Sequence, residues 1–162
     1  MARKKQYWLM KSEPEEYSID DLQKDGTAHW DGVRNYQARN FMRDQMRVGD
    51  KVIFYHSNAN PSGAAGVAEV ASEAYPDFTA FDPNDKHFDP KSKEDKPTWY
   101  MVDVKFVKKF ERFVPLSEIK ENPKLQNMKL VQRGNRLSVM PITKEEFDEI
   151  VKMGKAKKTK GK

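Results

Sequence analysis

The stretch WYMVDVKFVKKFER, residues 99–112, has the clearest periodicity in the chain. Apolar and charged side chains alternate along it. The apolar set is Tyr100, Val102, Val104, Phe106 and Phe110, and the charged set is Asp103, Lys105, Lys109 and Glu111. Because successive side chains of a strand point to opposite faces, this alternation predicts a long antiparallel strand with one face buried and the other in water.

Shorter elements surround this strand in the sequence. Apolar runs predict strands at residues 6–11, 51–57, 66–75 and 137–139. Capping signals and spacing predict helices that begin after Ser18, Asn35 and Thr143, with further short helices at 115–122 and 125–131. The helix after Asn35 is expected to run to residue 47. Strands interspersed with short helices predict an α+β fold with a curved, barrel-like sheet.

Length and composition narrow the class of protein. The chain has 162 residues, which suits one domain, and its 9 Phe, 6 Tyr and 3 Trp indicate a folded chain. With no cysteine, disulfides, thiolate metal sites and cysteine nucleophiles are excluded. No run approaches a membrane span, and the first residues lack the apolar core of a signal peptide. We expect an intracellular monomer that does not enter a membrane.

The positive charge is concentrated at the two ends. Residues 6–151 contain 21 basic against 25 acidic groups, whereas all of the excess Lys and Arg lies outside that range. The pattern predicts a basic arm at 1–5, a single domain at 6–153 and a disordered Lys-rich tail at 154–162. Two roles for the tail remain open: it aids solubility, or it grips phosphates weakly and in a salt-sensitive manner.

Residues 76–97 are too long for an ordinary connection between strands. Within them, Phe81-Asp82-Pro83 is echoed by Phe88-Asp89-Pro90. One interpretation is a pinned surface loop in which each Asp forms a turn before proline. The other is a lid beside a ligand site.

Familiar catalytic signatures are missing from the sequence. It has no Gly-rich phosphate loop, HExxH, GxSxG or EF-hand pattern. Its three histidines, His29, His56 and His87, have no short metal-ligand spacing between them. We therefore expect no metal and no cofactor.

Two segments are rich in groups that suit a planar ligand. Lys11-Ser12-Glu13 leaves the first strand, and a second segment around Gly32 combines Trp30, Arg34, Asn35 and Tyr36. An indole can stack on a nucleobase while an Asp, Asn or Ser side chain forms hydrogen bonds with the edge of the base. The alternative for Trp30 is a hinge residue that packs the following helix on the sheet. The spacing favours neither.

At these residues the chain resembles the EVE domain. The motifs are WLMKSEP at 8–14, WDGVRNYQARN at 30–40, Gly49-Asp50 with FYHS at 54–57, GVAEV at 66–70, the Phe-Asp-Pro loop and RLSVMPIT at 136–143. They occur in the family's order and span roughly residues 6–152.

The resemblance implies a PUA-like fold, a pseudo-barrel of mostly antiparallel strands with short peripheral helices, related to the YTH domain. It also implies a pocket for a base. Lys11, Ser12 and Glu13 would lie at its mouth, and Trp30 would correspond to a cage aromatic. The remaining walls would come from Arg34, Asn35, Tyr55, His56 and Ser57, with Trp99 and Phe81 as candidates for further cage aromatics.

Members of the family are regarded as readers of modified bases. The expected function is therefore non-enzymatic binding of DNA or RNA that carries a modified cytosine or adenine. Two alternatives remain open: a hydrolase or RNA-modifying enzyme that uses Lys11, Glu13, Asp31 and His56 in the same pocket, or a nucleoside-binding protein. The expected compartment is the cytoplasm, with nucleoid association in a bacterium, or the nucleus in a eukaryote.

Overall fold

The computed structural model describes residues 5–132 and 137–155. The strands are β1 (Tyr7–Ser12), β2 (Thr27–His29), β3 (Lys51–His56), β4 (Gly63–Val70), β5 (Tyr75–Pro76), β6 (Tyr100–Met101), β7 (Asp103–Pro115) and β8 (Val139–Ile142). The helices are α1 (Ile19–Asp25), α2 (Tyr36–Asn40), α3 (Leu116–Glu121) and α4 (Lys144–Met153). A π-helical turn, Phe41–Gln45, continues α2, and short 3-10 turns occupy Phe78–Phe81, Pro123–Leu125 and Lys129–Val131.

Six of the strands form one curled sheet, a half-barrel, in the order β2-β7-β4-β3-β1-β8. Only the β1–β3 pair is parallel among the pairings of this sheet. The other two strands, β5 and β6, pair with each other outside it. The α+β class with a mostly antiparallel, barrel-like sheet, predicted from the sequence, is confirmed.

The predicted long strand is present, although it begins later and is bulged. Residues 100–101 pair with β5, and β7 starts at Asp103. Val67 pairs with Lys108 and Ala68 with Phe106, so Val107 is the extra residue of a bulge and remains exposed. The apolar face buries Val104 and Phe110, as the alternation predicts.

The helix starts are as predicted, because each depends on a local hydrogen bond. Ser18 and Thr143 form capping boxes with Asp21 and Glu146, and the Asn35 side chain accepts a hydrogen bond from the Ala38 N–H.

Several extents in the sequence-based prediction are wrong. The expected helix at 36–47 changes to a π turn after Asn40, and the one at 125–131 is two 3-10 turns. The strand expected at 66–75 is β4, which starts at Gly63 and ends at Val70. The one expected at 137–139 is β8, which starts at Val139.

Side chains of the paired strands β1 and β3 contribute to the core. Trp8 and Phe54 are both fully buried, and the Trp8 indole Nε1 donates a 3.0 Å hydrogen bond to the buried Asp50 carboxylate. The same oxygen accepts the backbone N–H of Arg47 at 3.0 Å. Asp50 therefore joins the end of the π turn to the start of the parallel strand pair.

This topology gathers several chain segments at one edge of the sheet. Since β1 and β3 run parallel, both end at that edge, and antiparallel β8 begins there. The predicted basic arm and Lys-rich tail lie outside the described residues, except for Lys5, Gly154 and Lys155. No helix within the described ranges is long and apolar enough to cross a membrane.

Candidate functional site

A cavity of about 700 Å³ opens at this edge of the sheet. Its lining includes Lys11 and Ser12 at the end of β1, Ser57 after β3 and Ser138 before β8. The Ser57 N–H donates to the Ser12 carbonyl at 3.0 Å, and the Lys11 N–H donates to the Ser138 carbonyl at 2.8 Å. Strand pairing therefore fixes this part of the lining.

Trp30 forms the apolar wall. It follows β2, and its N–H donates to the Val102 carbonyl at 2.8 Å. The indole is 8% exposed and meets the Phe54 ring edge-on, with centroids 5.4 Å apart. Within the part of the chain that the structure describes, the indole N–H of Trp30 donates no hydrogen bond. Trp30 thus packs against the core and also lines the cavity, while its stacking on a base stays a prediction.

Gly32 allows the segment that carries Trp30 to pack closely against the loop at 76–97. Its φ is +79°, a left-handed conformation that favours glycine. A Cβ at this position would lie 2.6 Å from the His87 ring, so the imidazole packs directly on the Gly32 backbone. His87 therefore lines the cavity, although it is remote in sequence.

Arg34 fastens the same loop. Its Nη2 donates to the His87 carbonyl at 2.6 Å and its Nη1 to Asp77 Oδ2 at 3.1 Å. Asp77 is fully buried, and burial alone would raise its pKa. Hydrogen bonds from Thr79, Gly32 and Arg34 outweigh burial and hold the pKa of Asp77 below its ordinary value.

The loop at 76–97 is pinned, as one interpretation of its sequence predicts. Asp82 accepts from the Asn84 N–H at 2.9 Å and Asp89 from the Lys91 N–H at 3.0 Å, so both Asp-Pro units form the expected turn. The loop also supplies Lys86 to the cavity, and Lys86 forms an ion pair with Glu16 on the cavity's lining. Movement of this loop as a lid stays a prediction.

Two charged groups of the cavity, Lys11 and Asp31, have shifted pKa values. Burial lowers the pKa of Lys11, whose Nζ lies 5.9 Å from the centroid of the Tyr55 ring. Burial, followed by the nearby Asp77 carboxylate, raises the pKa of Asp31, and the His29 imidazole 3.3 Å away opposes that rise. The cavity thus offers an ammonium donor and a carboxylate acceptor, both partly desolvated, beside an indole.

Six of the nine residues predicted for the pocket line this cavity. They are Lys11, Ser12, Glu13, Trp30, Arg34 and Ser57. Glu13 also accepts a hydrogen bond from Asn58 Nδ2 at 3.3 Å.

The other three predicted residues have contacts elsewhere. Asn35 caps α2, and Tyr55 is 2% exposed, with burial raising its pKa to about 12. His56 Nε2 accepts the Ile19 N–H at 3.1 Å, and burial lowers the pKa of His56. A direct ligand contact from these three stays a prediction. The candidate cage aromatics Trp99 and Phe81 do not line the cavity.

Sequence reasoning missed several residues of the cavity. Tyr17 is brought there by the turn after β1, in which its N–H donates to the Glu13 carbonyl at 2.8 Å. Its hydroxyl donates to Asp25 at 2.7 Å, and burial together with this bond raises the pKa of Tyr17. His87 had no local signal beyond the length of its loop. Within residues 5–132 and 137–155, no group of three His, Asp or Glu side chains is placed to hold a metal ion.

Fold and site together define a half-barrel α+β domain with a polar, indole-walled pocket at one edge of its sheet. A family model described as the EVE domain matches residues 6–153. The chain belongs to the EVE domain family, which confirms the resemblance found in its motifs.

Known relatives cover nearly all of this chain. Human thymocyte nuclear protein 1 is 48% identical over an alignment of 166 positions, which covers 91% of this chain and 73% of that protein. A structure of human THYN1 in complex with DNA containing 5-methylcytosine has a TM-score of 0.87 and 46% identity, covering 94% of this chain and 99% of that one. A hypothetical protein from Leishmania major has a TM-score of 0.89 and 51% identity, covering 93% and 95%.

A more distant likeness concerns the fold alone. The YTH domain of Zygosaccharomyces rouxii MRB1, solved in complex with N6-methyladenosine RNA, has a TM-score of 0.57 at 17% identity. The alignment covers 97% of this chain and 88% of that one. The expected structural relation to the YTH domain is thereby confirmed.

Proposed function

We propose that this protein is a non-enzymatic reader of a modified base in nucleic acid, which it receives, flipped out of its strand, in the cavity beside Trp30. The observation that carries the proposal is the lining of that cavity, where an indole wall lies beside a desolvated ammonium and a desolvated carboxylate. A cavity of about 700 Å³ lies within the range of small-ligand sites.

The polar groups suit the hydrogen-bonding edge of cytosine. Cytosine has one exocyclic amino donor, from which an Asp or Glu carboxylate accepts, and two neighbouring acceptors. The Asp31 carboxylate would accept a hydrogen bond from the amino group of cytosine, and the Lys11 ammonium would donate to the two acceptors. Flipped bases are commonly bound through this edge while the ring packs on aromatic or apolar side chains.

We take 5-methylcytosine in DNA as the first ligand to test. Support comes from the human relative, whose structure contains such DNA. In this chain Ala28 and Val33 add apolar surface beside Trp30, against which a methyl group can pack. Burial of one methyl contributes about 0.8 kcal/mol, which corresponds to roughly fourfold discrimination against plain cytosine.

The enzyme alternative requires Lys11, Glu13, Asp31 and His56 to meet in one pocket, and His56 does not line the cavity. Its Nε2 instead accepts a hydrogen bond from the Ile19 backbone, away from the cavity lining. Lys11, Glu13 and Asp31 remain in the pocket, where they suit recognition of a base edge.

The basic ends belong to the same proposal. We propose a single domain at 6–153, flanked by a basic arm and a Lys-rich tail that attract phosphates without base preference. The carbonyl of Gly154 accepts the Arg112 N–H at 3.0 Å, so the chain just beyond α4 still contacts β7.

The test is a titration followed by intrinsic tryptophan fluorescence. The ligands are matched short DNA and RNA oligonucleotides with cytosine or adenine, plain or methylated, and the free nucleosides. Saturable binding that favours one methylated base, with the oligonucleotide recovered unchanged after long incubation, supports a reader. A cleaved or altered base would indicate an enzyme, and preference for free nucleosides would indicate a nucleoside-binding protein.

A further inference from the structure

An exposed aromatic residue lies on the surface next to the pocket. Tyr36, the first residue of α2, is 61% exposed. Its ring stacks on that of the buried Trp99, with centroids 4.9 Å apart and an angle of 23° between the planes. An exposed tyrosine supported from beneath is a surface on which a flat ligand can pack at low entropic cost.

Arginines surround this stack. The Arg39 guanidinium carbon lies 4.9 Å from the centroid of the Tyr36 ring, and that of Arg43 lies 5.8 Å from the Tyr100 ring. We call Tyr36, Arg39, Arg43, Trp99 and Tyr100 the aromatic–arginine strip. Guanidinium planes and aromatic rings are the two kinds of surface on which unpaired bases stack.

Hydrogen bonds hold the strip in place before any ligand binds. Trp99 Nε1 donates to Asp89 Oδ2 at 2.6 Å, and Arg39 Nη1 donates to the Thr98 carbonyl at 2.9 Å. The other Arg39 donors reach Asn40 Oδ1, so Arg39 is oriented by neutral acceptors. Preorganised side chains lose little freedom on binding.

The local charge contrasts with the rest of the domain. Residues 35–47 contain three arginines and a single acid, Asp44, whereas residues 6–151 as a whole carry more acidic than basic groups. A hydrogen bond from Arg43, with the charges of Arg39 and Arg47, lowers the pKa of Asp44, so the three cations act on one small area.

The strip is continuous with the pocket through Arg34. That side chain lines the cavity, and its guanidinium carbon lies 5.4 Å from the centroid of the Trp99 ring. The strip therefore borders the cavity in which the flipped base is proposed to lie.

We propose that the aromatic–arginine strip binds the nucleic-acid strand next to the base held in the pocket. Arg39 and Arg43 contact its phosphates, and Tyr36 stacks on a neighbouring nucleotide. This inference rests on the proposed function, since it names a second contact with the same nucleic acid. Phosphate and stacking contacts carry no base identity, so the strip contributes affinity while the pocket selects the modification.

The test measures the affinity of the full chain for two duplexes that differ only in one central 5-methylcytosine, over a range of salt concentrations. The variants are Arg39→Gln with Arg43→Gln, Arg43→Gln alone, and Tyr36→Ala. The conservative variants are Arg39→Lys with Arg43→Lys, and Tyr36→Phe. Lys108→Gln with Lys120→Gln removes the same charge from exposed positions outside the strip.

For the double Gln variant we expect at least about tenfold weaker binding to both duplexes, with a slope of log K against log salt shallower by about 1.8. Tyr36→Ala should weaken binding at least about fivefold. The Lys and Phe variants should retain most of the affinity, and the ratio between the duplexes should not change. Thermal melting of each variant shows whether it is folded. If loss of the Arg39–Thr98 bond unfolds the double variant, the single variants Arg43→Gln and Tyr36→Ala test the proposal.

Two results would overturn the proposed role of the strip. One is affinity within twofold of wild type in every strip variant, and the other is a loss no greater than that of the Lys108 and Lys120 control. A wild type that binds both duplexes equally would reject the proposed function instead, while weakened binding in the strip variants would still support this surface.

Discussion

The backbone N–H of Gly32 donates a 2.8 Å hydrogen bond to Asp77 Oδ2, and this bond joins the wall of the pocket to the start of the loop at 76–97. The same carboxylate oxygen accepts from Arg34 Nη1 at 3.1 Å. Because Asp77 is buried, these bonds are shielded from water and are stronger than surface contacts of the same length. The wall and the loop therefore form one unit.

Gly32→Ala tests the contact between the wall and His87. A residue with a side chain is strained at φ +79°, at a cost of about 1–2 kcal/mol, and its Cβ would also displace the His87 ring. We expect a loss of more than about 2 kcal/mol by urea denaturation, together with weaker oligonucleotide binding. Gly49→Ala is the matched control, since its φ is +97° and no atom lies within 4 Å of the added Cβ. Equal effects of the two substitutions on binding would refute the role of this contact.

Asp77→Asn tests the buried anchor. Asparagine keeps the shape but cannot accept from Gly32, Arg34 and Thr79 together, and it leaves the guanidinium without its counter-charge. We expect a loss of about 3 kcal/mol in the free energy of unfolding at neutral pH. The pKa of Asp77 is lower in the folded than in the unfolded state. The stabilisation from its carboxylate is therefore complete above the unfolded pKa of 3.8 and disappears as the pH falls through the folded pKa.

The measurement is urea denaturation of the wild type and the Asp77→Asn variant at pH 7, 5 and 3. Asp44→Asn serves as the control, because Asp44 is an exposed partner of Arg43 and should have no measurable effect. A stability difference between the wild type and the Asp77→Asn variant that grows on acidification would contradict the assigned charge state.

Asp31→Asn separates stability from binding. The folded pKa of Asp31 is raised, so its carboxylate penalises the folded state at neutral pH, and this penalty disappears below the unfolded value of 3.8. The variant should therefore melt at the same or a higher temperature at pH 7, yet bind the modified oligonucleotide at least about tenfold more weakly, because an amide is a poor substitute for a charged acceptor. A variant that binds as tightly as wild type would remove Asp31 from the proposed site.

The pH dependence of binding follows from the two shifted groups. In the proposed site a base binds to ionised Asp31 and protonated Lys11, so affinity should fall at low pH through the raised pKa of Asp31 and at high pH through the lowered pKa of Lys11. Asp31→Asn should lack the acid limb and Lys11→Met the alkaline limb. The profile is measured by fluorescence titration at constant ionic strength. An alkaline limb unchanged in Lys11→Met would show that another group titrates.

Local interactions explain what the sequence predicted of the fold. The capping boxes at Ser18 and Thr143 and the alternation in residues 103–106 involve neighbours in the chain, so residue type and spacing were enough. The π turn after α2 had no such signal. Its Met46 N–H donates to the Phe41 carbonyl, five residues back, where an α-helix would use the carbonyl four residues back.

The candidate site was predictable where the resemblance to the EVE domain indicated its residues. Lys11, Ser12 and Ser57 meet because β1 and β3 are parallel and end together. His56 illustrates the limit, because its partner is the Ile19 N–H, 37 residues away. His87 reaches the cavity only through the Gly32 backbone, a tertiary contact without a sequence pattern.

The central claim is that a modified base enters the cavity beside Trp30, and the most direct measurement follows the indole N–H signals of the three tryptophans by NMR. Trp8 donates to Asp50 and Trp99 to Asp89, whereas the Trp30 indole has no such partner in the described part of the chain. Trp30→Phe, which preserves most of the buried volume, identifies its signal.

During titration with an oligonucleotide that contains one 5-methylcytosine, we expect a saturable shift of the Trp30 signal, larger than with plain cytosine, and no shift of the Trp8 signal. A shift of the Trp99 signal alone would indicate binding at the aromatic–arginine strip. Saturable binding that leaves the Trp30 signal unmoved would show that the base does not enter the cavity.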